Sequence, residues 1–222
     1  MKKHTILQHD ELAYGIHNFH INFNTREIFL TPNLDASNDE AEINHYVAAN
    51  LIKNIRFFDY LNNKPILIHM CTCGGQQEYG LAVYDSIKTS RSYIYIIAYA
   101  YARSMSSIIL QAADCRILTP HTYCMIHYGT DGWDGTSPGL ISHAKQAKKS
   151  QIQMLELYSE RCQNGSYFTN RHMNIKKVKE FLNKKMLDKQ EWYLSPEKAI
   201  KYGFADYILG KGKCPTIKQI LI

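Results

Sequence analysis

Residues 93–100 read YIYIIAYA, a run of apolar and aromatic positions with no polar face. A strand of this kind shows apolar side chains on both sides of its sheet. It belongs inside a sheet covered on both faces, the setting of parallel strands in α/β proteins. The flanking sequence fits that setting. REIFLT, residues 26–31, reads as a short strand. INHYVAANLIKNIRFF places Val47, Leu51, Ile55 and Phe58 on one helical face. LNNK is a turn, and Pro65 opens the strand PILIHM. CTCGGQQ is a tight glycine turn, followed by a helix through YGLAVYDSIKTS. The apolar strand turns at Ser104 into a helix over 104–113, and two short runs, CRILT and YCMIH, come after it. Strands alternating with helices argue an α/β domain with a largely parallel sheet. Such sheets carry their chemistry at the carboxyl ends of strands. CTCGG and ARSM both lie at such ends.

The 222 residues fit one domain, or one domain with a protruding element. Lys and Arg number 26 against 20 Asp and Glu, a net charge of +6. Much of the excess lies over 145–149 and 176–189, spread around helical turns. That is a solvated face rather than a nucleic-acid groove, so no nucleic-acid partner is expected. MKKHTILQHDELAYG lacks the apolar core of a signal peptide, and no run approaches the roughly 18–20 apolar residues of a membrane span. Residues 1–25 are polar and poorly periodic and read as an N-terminal arm, flexible or axial, ahead of a domain over 26–222. PNLDASNDEAE reads as a loop with helix-start chemistry. The cysteines at 71, 73, 115, 124, 162 and 214 match no zinc spacing, and no metal is expected. Three of them lie in apolar runs as small core residues, and a reducing cytoplasm is the simplest compartment.

A different element begins at Ser137-Pro138, read as a cap followed by a first-turn proline, and stops at Asn164-Gly165. Between them Leu140, Ala144, Ala147, Gln151, Leu155, Tyr158 and Cys162 recur at steps of three and four. The helix would be about 38 Å long at roughly 1.5 Å per residue. A narrow stripe on so long a helix suits pairing with another long helix. A helix lying flat on its own domain is the alternative. A further helix runs from about 174 to 187, SPEKAIKYG repeats the Ser-Pro start and Gly stop, and FADYIL closes as a strand.

Ser104 raises a question of chemistry. Serine commonly caps helices. Yet Ser104 stands where an apolar strand turns directly into a helix, as nucleophiles do in α/β hydrolases, although the G-x-S-x-G spelling is absent. The amide of Met105 would be free at the helix start and able to bind an oxyanion. Gly74-Gly75 follows a neighbouring strand, and glycines let backbone approach a ligand closely. His127 ends an apolar strand and becomes a candidate general base. Ser106 and Ser107 read as helix-interior bystanders.

CTCGGQQEYGLAVYDSI, ARSMSSIILQAADCRILTPHTYCMIH and YLSPEKAIKYGFAD resemble, in order and over roughly residues 26–209, the Clp protease proteolytic subunit family. These are serine peptidases of the crotonase-like fold. The resemblance implies repeated β-β-α units with a protruding handle helix, here about 128–165. It implies Ser104 as nucleophile and His127 as general base, with the amides of Gly75 and Met105 as oxyanion donors. Gly74, Gln76 and Gln77 would border the extended substrate. The third catalytic position, an Asp in the family, is Glu191, with Asp188 as a fallback that fits the pattern less well. A glutamate can still accept the histidine Nδ1–H.

The departures mark a divergent member. Arg103 stands where the family has a small residue, Ala100 where it has a glycine, Cys73 where it has a proline, and Tyr128-Gly129 where it favours Gln-Pro. The implied partners are copies of the chain in stacked rings, heptameric in the family, an AAA+ unfoldase and unfolded polypeptide. No cofactor is implied. The chain has no G-x-x-x-x-G-K-[ST] loop, so any ATP would be spent elsewhere. Arg103 beside the nucleophile favours an alternative, a non-catalytic structural subunit of such a ring. A crotonase-fold acyl-CoA enzyme is a second alternative, and the Ser104–His127 pair argues against it.

Overall fold

The computed structural model describes residues 2–31 and 42–221. Most of the loop read with helix-start chemistry lies outside the described residues. In chain order the elements are α1 (Lys2–Phe19), β1 (Ile21–Asn22), β2 (Glu27–Leu30), β3 (Glu42–Ile43), α2 (His45–Leu61), β4 (Ile66–Thr72), β5 (Gly74–Gly75), α3 (Gln77–Lys88) and β6 (Ile94–Arg103). There follow α4 (Met105–Ala112), β7 (Cys115–Leu118), β8 (Tyr123–Ile126), α5 (Ser137–Cys162), α6 (Ser166–Thr169), α7 (Ile175–Lys189), β9 (Trp192–Leu194), α8 (Pro196–Lys201), β10 (Tyr207–Ile208) and α9 (Ile217–Ile220).

The main sheet runs β1-β2-β4-β6-β7-β10, with β8 joined to β6 and β9 to β8. It is parallel except at the β1–β2 and β8–β9 pairs. The expected cover on both faces is present. Ile66, Ile68 and Met70 of β4 point into the main core with α2, α3 and α4, where Leu51, Ile55, Phe58, Val83 and Ile109 are buried. Leu67 points the other way, into a smaller cluster with Ile97, Ile117 and Ile220 of α9. Alternation along a strand makes that division.

The sheet begins earlier than the sequence suggests. Residues assigned to an arm over 1–25 form α1, and β1 pairs antiparallel with β2. Polar ties fasten this segment: Asn54 Nδ2 donates to Phe19 O at 2.8 Å, and Asn22 Nδ2 to Glu27 at 3.2 Å. Such ties leave no apolar period to read.

Helix α5 packs on its own domain along its C-terminal part. Met154, Tyr158, Ser159 and Cys162 are buried against the domain. Leu140, Ile141 and Ile152 are each more than half exposed, at 52%, 59% and 52%. The cap is Thr136 rather than Ser137: Thr136 Oγ1 accepts from Gly139 N at 3.3 Å, and Ser137 and Pro138 lie in the first turn. Among the described residues, no helix is long and apolar enough to cross a membrane.

The FAD end of the chain is locked to β7. Buried Arg116 donates to Asp206 Oδ1 at 2.5 Å and Oδ2 at 3.0 Å, to Gln111 Oε1 at 2.6 Å and to Gly203 O at 2.6 Å. Asp206 is half-buried, but removing its charge strands the buried Arg116 guanidinium. Asp206→Asn is therefore expected to lower unfolding stability by about 3 kcal/mol, read as a fall in the urea midpoint.

Candidate active site

Strand β6 carries the site because it changes neighbours along its length. Tyr95 to Ala98 pair with β7, whereas Tyr101 to Arg103 pair with β8. Between them Ala100 adopts φ +57°, and the register with β4 slips from Met70↔Ala98 to Thr72↔Ala102. This irregularity bends the strand, as bulges do, and aims its end at β8. The strand then stops at Ser104, with φ 52° and ψ −127°, and α4 starts at Met105. A non-glycine residue at positive φ carries strain of about 1–3 kcal/mol.

That elbow answers the question of capping. Ser104 occupies the cap position, but its side chain makes no capping bond. Its Oγ lies 2.7 Å from His127 Nε2. Parallel pairing brings the histidine there: Arg103 faces Met125, and Ser104 N donates to Met125 O at 3.0 Å. His127 thus emerges just beyond the point where the elbow is tied down.

The glycine turn closes the other side. A Cβ on Gly74, at φ +112°, would sit 2.7 Å from Ser104 Cβ and 3.0 Å from Met105 N. A Cβ on Gly75, at φ +139°, would sit 2.5 Å from Ile43 N. Both glycines are required by space as well as by torsion. β5 pairs with β3, and Gln76 N donates to Ile43 O at 2.9 Å. Strand alternation therefore turns the Gly75 amide to the opposite edge. Gln76 is exposed and precedes α3, and half-buried Gln77 is its first residue. Gly74, Gln76 and Gln77, expected to border a substrate, and Gly75, expected as an oxyanion donor, thus form one turn that meets the elbow at Gly74.

Ser106 and Ser107 are not bystanders. Ser106 Oγ donates to Thr72 O at 2.8 Å, just before the glycine turn. Ser107 Oγ lies 2.6 Å from Ser104 O, to which it donates, and 2.7 Å from the hydroxyl of Tyr158 on α5. The spacing of small polar residues on the first turn of α4 was the available signal.

The acid positions are arranged differently from the expectation. Burial pushes the His127 imidazole below its ordinary value, and the Glu191 charge partly offsets this. Glu191 therefore lies within electrostatic reach of the histidine. Its Oε2, however, accepts from Tyr193 Oη at 2.8 Å. Among the described residues no hydrogen bond joins Glu191 to His127. Asp188 is exposed on the last turn of α7. The Arg103 guanidinium stacks on Tyr101, 4.3 Å from the ring centroid. Cys115 and Cys124 are core residues, and burial raises both thiols to about 12, which leaves them protonated.

The model of the Clp protease family matches residues 23–212. The chain belongs to the Clp protease family. Membership puts it among hydrolases that act in proteolysis. An ATP-dependent Clp protease proteolytic subunit from Deinococcus radiodurans is 27% identical over 166 residues, spanning 73% of this chain and 74% of that protein. One from Chlorella vulgaris is 28% identical over 163 residues, spanning 71% and 74%. A solved ClpP1 mutant from Listeria monocytogenes superposes with a TM-score of 0.67 at 21% identity, over 84% of this chain and 92% of that one. The fold is thus the crotonase-like fold of Clp proteases. Within it Ala100 sits at a strand bend, at φ +57°, and the Arg103 guanidinium lies over the Tyr101 ring.

Proposed function

We propose that this Clp family member is a serine endopeptidase that cleaves unfolded polypeptide through an acyl-enzyme on Ser104. The observation that carries this reading is the 2.7 Å contact between His127 Nε2 and Ser104 Oγ at a strand-to-helix elbow. His127 takes the hydroxyl proton as Ser104 Oγ attacks the peptide carbonyl carbon. The resulting oxyanion is held by the amides of Met105, first in α4, and Gly75, turned away from β3. His127 then gives its proton to the leaving amine. Water attacks the acyl-enzyme by the same route in reverse roles. Gly74, Gln76 and Gln77 border the extended substrate, and Glu191 is the acid that orients His127. The exposed half of α5 serves as a handle between copies of the chain in stacked rings. An AAA+ unfoldase would feed the chamber, in keeping with the words "ATP-dependent" in the relatives' names.

A fluorophosphonate probe tests the reading, because it labels only a serine activated by a base. Labelling of the assembled wild type is expected; its absence would overturn the peptidase. The pH profile follows from the histidine. The base form is neutral imidazole, and burial lowers its pKa, so that form persists into more acid solution. The acid limb of kcat/KM is therefore expected to reach its half-point below the ordinary histidine value of about 6.5. A profile measured from pH 5 to 8 checks it, and a half-point above 7 would contradict the burial argument.

A further inference from the structure

Antiparallel pairing of β8 with β9 matches Ile126 with Trp192 and Met125 with Tyr193. Continued one position past its last pair, that register would set His127 opposite Glu191. Residues directly opposite on an antiparallel pair have Cβ atoms about 4.5–5.5 Å apart, within reach of a glutamate side chain. Glu191 also lies two residues from Tyr193, so both side chains stand on one face of the strand. The carboxylate therefore has two partners within reach, and in this structure it bonds the tyrosine at 2.8 Å.

Tyr193 is held in place to do this. Its ring packs on Tyr123 at 5.7 Å, and Tyr123 packs on Tyr101 at 6.1 Å. Tyr101 in turn carries the Arg103 guanidinium. Three tyrosines on three adjacent strands thus form a row that supports one side of the Tyr193 ring, which is 51% exposed. The approach to Glu191 is set by Gln190, which ends α7 at φ 60°. Charged groups acting on Tyr193 are Glu191 and Arg103.

We propose that Tyr193 is a positioning residue that competes with His127 for the Glu191 carboxylate and holds the third member of the triad off the base. When Glu191 bonds Tyr193, His127 keeps its contact with Ser104 but has no orienting partner at Nδ1 among the described residues. When the carboxylate swings to His127, the imidazole is fixed in the tautomer that accepts the serine proton. The inference rests on the peptidase reading for its catalytic consequence, but not for the geometry of the exchange.

Tyr193→Phe tests it, since it keeps the ring and its packing and removes only the hydroxyl. Hydrogen bonds to charged groups are strong enough to bias such a choice by about tenfold or more. In the variant kcat is expected to rise about tenfold with KM unchanged, and the acid limb of the pH profile to move upward. Glu191→Gln in the Tyr193→Phe background should abolish the gain. NMR titration of His127 in Ser104→Ala, with and without Tyr193→Phe, reads the exchange without any turnover. An upward shift of the histidine in the double variant supports the competition even if the wild type never takes up fluorophosphonate, an outcome that would sink the peptidase alone. An unchanged histidine titration, or an unchanged or lower kcat in an enzyme that does label, overturns the competition.

Discussion

Ser104→Ala is expected to abolish peptide hydrolysis, with a loss on the order of 10⁶ in kcat, as nucleophile removal does in serine hydrolases. The fold should be unaffected. The hydroxyl bonds His127 and caps nothing, so its removal leaves no helix end unsatisfied. Alanine also tolerates the elbow's φ of 52° no worse than serine does. Fluorophosphonate labelling should vanish while the thermal midpoint stays within about 2 °C. Labelling that survives the substitution would place the reactive serine elsewhere.

Gly74→Ala is expected to cost nearly as much by a different route. The added methyl would press on Ser104 Cβ at 2.7 Å and on Arg103 O and Met105 N at 3.0 Å. None of these is the loose end of a flexible side chain, so the elbow itself must shift. Displacing one oxyanion donor alone typically costs about 10²–10³ in kcat, and here the nucleophile moves with it. The positive φ adds about 1–2 kcal/mol of backbone strain. Loss of at least about 100-fold in kcat/KM is expected, together with a lower thermal midpoint. Gly132→Ala is the control, because a Cβ there meets nothing within 4 Å. Near-normal activity in Gly74→Ala would show that the elbow is softer than its contacts imply.

Ser104 and His127 could be read from the sequence because each ends an apolar run, and such ends mark the carboxyl ends of strands. The glycine pair could be read because close approach of backbone requires the absence of a side chain. Other features left less trace. Alanine itself does not announce a left-handed torsion, so the bend at Ala100 is legible only through the glycine that the resembled family has there. A single stripe along α5 cannot say whether it meets its own domain or another surface; here the half from Met154 to Cys162 meets its own. Nothing in the residue order says which partner the Tyr193 hydroxyl selects, because that depends on a rotamer of Glu191. The role of Ser107 is not legible in the sequence because its hydroxyl meets Tyr158, fifty-one positions away, as well as Ser104 O.

The contact between Gly74 and Ser104 also constrains how this sequence can drift. It is the Cβ of Ser104 that a side chain at position 74 would strike, not the Oγ. Every residue except glycine has that carbon. A descendant that exchanged the nucleophile for alanine would thus feel the same pressure to keep Gly74. The glycine turn marks lineage, and a chain that has kept it can already have lost its chemistry.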